Sequence, residues 1–134
     1  MLFNSLYYPI CVDYKELCGK IFDINKDIRF VGFITKSGKL IEGGMREGLE
    51  SIDDEIHQKR WFNQVAMRAE MYEMFNKIYG KTHMAYVERE KLKQITFYMS
   101  KSIVLVTLQP SVDGNRAIEI ANSISKFLDS NKVI

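Results

Sequence analysis

The sequence predicts an α+β fold: a single five-stranded, mainly antiparallel sheet flanked by helices, in the order α-β-β-α-β-β-β-α. Three observations carry that reading. Strand-like runs rich in β-branched and aromatic residues fall into two groups, Ile28–Ile34 with Leu40–Glu42, and His83–Val87 with Leu92–Met99 and Ile103–Leu108. The short turns inside each group are the mark of antiparallel meanders. Between the groups, no Gly or Pro interrupts the chain from Ile52 to Tyr79, which predicts an unusually long central helix. Finally, Ile103-Val-Leu-Val-Thr-Leu108 is apolar at successive positions and belongs at the sheet centre, buried on both faces.

The elements follow in order. Asp13 with Glu16 three residues on resembles a capping box, the carboxylate accepting a backbone N–H that the first helical turn leaves free. Leu17, Ile21 and Ile24 then fall at helical spacing, with Cys18 on the apolar side, so a helix is expected over 13–24. Gly38 in Thr35–Lys39 suits a hairpin turn, Gly32 suggests a bulge or a close backbone approach, and Gly43-Gly44 is expected to end the second strand. Ser51 with Asp54 three residues on marks the start of the long helix, and Gly80 its end. Glu88-Arg-Glu-Lys91 reads as a charged turn. Pro110 stops the fifth strand, and Asp113 caps a last helix with Ala117, Ile120, Ala121, Ile124, Phe127 and Leu128 on its apolar side. The whole is expected to be one domain over 1–134, with an N-terminal extension over 1–12 and a short tail over 130–134.

The 134 residues are 46% hydrophobic and 27% charged, ordinary values for a globular domain. Lys and Arg number 19 against 17 Asp and Glu, too even to imply a nucleic acid as partner. Ser102–Leu108, the longest uncharged apolar stretch, is too short to span a membrane. The first ten residues lack the basic region and cleavage site of a signal peptide, so neither a secreted disulfide scaffold nor a membrane partner is expected. Cys11 and Cys18 are the only cysteines, and their spacing fits neither a redox pair nor a zinc site. They read as buried structural thiols. His57 and His83 fall in different predicted elements, so no metal site is expected.

No motif supplies a catalytic set. There is no G-x-S-x-G elbow, no basic setting that would activate a cysteine, and Asp53-Asp54-Glu55 is explained as acids at the positive end of a helix. Glu42–Gly48 holds three glycines and Arg46, but lacks the Lys-Ser/Thr of a phosphate loop. It reads as a strand-to-helix turn. The expectation is therefore a chain that is not an enzyme and holds no cofactor.

The long helix is apolar on more than one face. Trp61, Val65, Tyr72, Phe75 and Tyr79 make one stripe, Met67, Met71, Met74 and Ile78 a second, and Phe62, Ala66 and Ala69 lie between them. Such a helix is either sandwiched in a core or shared with a partner. Part of Trp61–Tyr79, with Trp61, Met67, Met71, Met74 and Ile78 foremost, is expected to meet a second subunit; the other reading of the methionines is intramolecular core. Phe30, Phe33, Trp61, Phe97 and Tyr98 are the aromatic residues that would line a small-molecule pocket, the other reading being a filled core.

The element order, with the segments Ile28–Gly44 and Gln94–Pro110 as its two meanders, resembles the roadblock light-chain family. More loosely it resembles the profilin-like group, which includes longin domains and PAS-type sensors. Lys20–Ile34 with Lys39–Gly44 is also similar to a family of small archaeal proteins, which implies an archaeal cytoplasm. The roadblock resemblance implies a non-catalytic dimeric regulatory or adaptor domain that contacts other proteins, such as a small GTPase. The looser resemblance implies the alternative, a small-molecule sensor.

Overall fold

The computed structural model describes residues 12–134. Cys11 and Pro9, and all but Val12 of the expected extension, lie outside the described residues. The element order is α1 (Tyr14–Phe22), β1 (Ile28–Ile34), β2 (Leu40–Met45), α2 (Glu55–Glu73), α3 (Asn76–Tyr79), β3 (Met84–Glu88), β4 (Lys93–Tyr98), β5 (Ile103–Leu108) and α4 (Gly114–Ser130). The strands form one five-stranded sheet in the order β2-β1-β5-β4-β3, and every neighbouring pair is antiparallel. β5 is central and buried at all six positions, as its unbroken apolar run predicts.

Two layers of core flank the sheet. On one face, Cys18 and Ile21 of α1 and Ala117, Ile120, Ala121, Ile124 and Leu128 of α4 pack on Val31, Phe33, Ile95, Phe97, Val104 and Val106. On the other, Phe62, Val65 and Ala69 of α2 pack on Phe30, Ile34, Ile103 and Leu105. The alternation of Phe30 and Val31, or of Val104 and Leu105, between the layers is the period-two rule of a strand.

Caps form where short polar side chains precede apolar periodicity. The Asp13 carboxylate accepts the Glu16 N–H at 3.0 Å, and that of Asp113 accepts the Arg116 N–H at 2.8 Å. For α2 the cap is Asp54, which accepts the His57 N–H at 2.8 Å, while the Ser51 hydroxyl is turned onto Asp53. The central helix therefore starts at Glu55, not Ile52. Its far end also departs from expectation. Met74 and Phe75 interrupt the helix, the Phe75 N–H bonds the Tyr72 carbonyl three residues back, and the short α3 follows. No residue of α3 is buried, so nothing in the sheet holds the chain to a straight continuation. The 19 residues of α2 span about 28 Å at ~1.5 Å per residue.

Gly43-Gly44 does not end β2 but lies within it, with Gly43 opposite Gly32 and Gly44 opposite Val31. Gly43 has φ +139°, and a Cβ there would collide with the Val31 carbonyl oxygen. The strands approach at a spot that only glycine fits. The register also shifts between Ile28 and Phe30 along β5, a bulge at Arg29 that turns the strand's first side chain to the α1 layer.

Candidate interaction surface

The geometry of α2 settles which of its faces meets the sheet. Phe62, Val65, Ala66 and Ala69 are buried, and the two alanines let the helix lie close. The methionine stripe points the other way: Met67 is 65% exposed, Met71 61%, Met74 77% and Ile78 71%. The stripe crosses from α2 into α3, and Phe75 and Tyr79, stacked with ring centroids 5.9 Å apart, extend it. Within one chain these methionines are not core. Arg60 and Arg68 flank Met67 and Met71 around a shallow hollow of about 430 Å³. Trp61 lies roughly a third of a turn away from the stripe, against Phe30 and Phe62, with centroids 5.6 Å and 5.5 Å distant.

The structure divides the aromatic residues named as a pocket between the two sides of the sheet. Phe33 and Phe97 are buried in the α1–α4 layer, where Phe33 meets Tyr14 at 5.1 Å. Phe30 and Trp61 are in the α2 layer and line a groove of about 360 Å³ at the amino-terminal end of that helix. Tyr98 also faces α2, but at its other end, edge-on to Tyr72 at 5.6 Å. Burial, followed by the neighbouring Tyr72 hydroxyl, pushes the Tyr98 phenol up to about 12.

Other ionisable groups are held in structural roles. Burial, and then the charge of Glu42, pushes the Cys18 thiol up to about 11. Cys18 lies in the α1 layer, whereas His57 and His83 line grooves on the α2 side; the sheet separates thiol from imidazole. The His57 N–H, then its ring Nδ1 at 2.7 Å, hold the Asp54 carboxyl below the usual carboxylate range. The Arg46 guanidinium donates to the carbonyls of Ile28, Phe22 and Asn25 at 2.7–2.8 Å and lies over the Phe22 ring at 5.1 Å. It neutralises the negative end of α1 and ties it to β1 and β2. Those bonds engage the one arginine of the glycine-containing segment over 42–48. Sequence reasoning gives it no structural partner, since the three carbonyls converge only in the fold. Lys93, buried in β4, is likewise committed, donating to the Pro110 carbonyl at 2.7 Å.

This sheet, one long helix on one face and two helices on the other, is the roadblock-type fold, shared in outline with profilin. MglB, a gliding protein of Thermus thermophilus, has a TM-score of 0.66 at 9% identity, over 83% of this chain and 82% of that one. A roadblock/LC7 domain from Streptomyces avermitilis has 0.62 at 9% identity, over 92% and 98%. Acanthamoeba castellanii profilin IA has 0.62 at 9% identity, over 90% and 99%. No protein-family model matches the chain, and no curated protein matches its sequence. No helix among the described residues is long and apolar enough to cross a membrane.

Proposed function

We propose that this chain is a non-catalytic regulatory or adaptor domain that acts in the cytoplasm as a homodimer, through protein–protein contact, with a small GTPase as a partner class. The observation that carries the reading is the methionine stripe from Met67 to Ile78, exposed on a helix whose other face is already packed on the sheet. Methionine suits a surface that must adapt to a partner, and a contiguous apolar patch on a single chain marks an interaction site. Further support comes from the fold: the similar structures include an MglB in a tetrameric arrangement, with a TM-score of 0.66 at 9% identity. The GTPase rests on the roadblock resemblance alone.

The test is native mass spectrometry and sedimentation velocity over a dilution series. The expected result is a dimer that the double substitution Met67→Glu, Met71→Glu converts to a folded monomer. A charge buried in an apolar interface costs several kcal/mol, whereas both positions are open to water in one chain and tolerate it there. A double variant that stays dimeric, or a wild-type chain that is monomeric at every concentration, overturns the reading.

A further inference from the structure

The groove at the amino-terminal end of α2 carries an inference that does not depend on the dimer, because one chain builds it entirely. Its volume of about 360 Å³ falls within the range of small-molecule sites. Phe30 of β1 and Trp61 of α2 form an aromatic wall, their rings tilted by 60°, and Ile52 of the preceding loop adds apolar surface. Around them stand polar groups from three other places in the chain: Arg29 at the β1 bulge, Arg89 in the β3–β4 turn, and Thr107 of β5.

The polar groups have a definite bias. Arg29 is held in place by two bonds, to the Gln109 side chain at 3.1 Å and to the Glu50 carbonyl at 3.0 Å. A guanidinium has five N–H donors, so donors remain for a ligand. The one carboxylate that lines the groove, Asp53, already accepts from the Ser51 hydroxyl. Thr107 lines the groove while only 4% exposed, so an occupant would meet its side chain away from bulk water. A hydroxyl there can donate to an acceptor on that occupant. Aromatic walls, with two guanidinium charges against the single carboxylate of Asp53, are complementary to one kind of occupant.

We propose that this groove binds a small planar aromatic anion, with its ring against Trp61 and Phe30 and its charged group toward Arg29 and Arg89. Trp61 is the only tryptophan, so its emission reports occupancy directly. The probe is 4-nitrobenzoate, whose nitroaromatic ring quenches indole, with its neutral counterpart 4-nitrobenzamide as comparison and calorimetry as a second readout. The expected result is saturable quenching in the millimolar range or below, and binding of the amide weaker by about tenfold or more. Arg89→Gln and Thr107→Val each weaken the carboxylate severalfold, and Arg89→Gln, at an exposed position, leaves the melting temperature unchanged. Quenching no different from that of free tryptophan, equal binding of the amide, or full binding by both variants overturns the proposal. All of these outcomes are read without reference to oligomeric state, and so stand apart from the fate of the dimer.

Discussion

Arg46 shows how much one side chain can organise. Its guanidinium gathers three backbone carbonyls, from the end of α1, the turn after it and the start of β1. A hydrogen bond to a charged group is worth about 1.5–3 kcal/mol, and neighbouring bonds of one group are not additive. Arg46→Met is therefore expected to cost about 2–4 kcal/mol in urea unfolding, with Arg46→Lys recovering only part, since an ammonium lacks the planar fork. Cys18 and Tyr98 make a second prediction at this scale. Both are acids that burial holds protonated in the fold, near 11 and 12, against ordinary values of 9.0 and 10.0. Above pH 9 the unfolded chain gives up these protons first, so it binds fewer than the fold and stability falls as pH rises. The loss begins near pH 9 with Cys18, near pH 10 with Tyr98, and is complete by about pH 12. Urea midpoints measured across that range should decline, and Cys18→Ala should remove the earlier part of the fall.

At the level of elements, both ends of α2 show where sequence reading succeeds and where it stops. Ser51 and Asp54 are both good cap residues, and spacing alone does not separate them; the fold uses Asp54, whose carboxylate also takes the His57 ring. Asp54→Ala should therefore lower the unfolding midpoint more than Ser51→Ala, and the reverse order would mean that the helix starts where the sequence first suggests. The far end departs from expectation for a different reason. A chain free of Gly and Pro is permitted to stay helical, but helices last where they have a face to bury, and beyond Glu73 there is none. Gly43-Gly44 resembles a strand end because glycine usually interrupts pairing, whereas here a close approach to Val31 requires glycine at 43. By contrast β5 is legible from its run of apolar residues, and α4 from Asp113 and its apolar stripe. The pocket residues are legible in part. An odd offset already puts Phe30 and Phe33 on opposite faces of a strand, while the meeting of Phe30, Arg89 and Thr107 depends on sheet order, which no local pattern contains.

The whole molecule is asymmetric about its sheet. One face is closed by α1 and α4; the other is covered by α2, whose outer side carries the exposed methionine stripe between arginines. If that side is buried between two copies, folding and association are linked, and thermal stability should rise with protein concentration. The double glutamate variant should show a lower melting temperature than wild type at high concentration and a similar one at high dilution. Melting curves that coincide at every concentration would leave the dimer without a thermodynamic signature and speak against it.

The sheet order has a consequence in time. β5 sits at the middle, yet it is the last strand made, and Gly32 pairs with Leu105 across most of the chain. During synthesis the β1–β2 hairpin emerges early and waits with its inner edge unpaired until the fifth strand leaves the ribosome. Such non-local pairing folds slowly, and an open strand edge invites the wrong neighbour meanwhile. A chain cut off before Ile103 would lose the strip that joins its two hairpins, and with it the floor on which the helices of both layers rest.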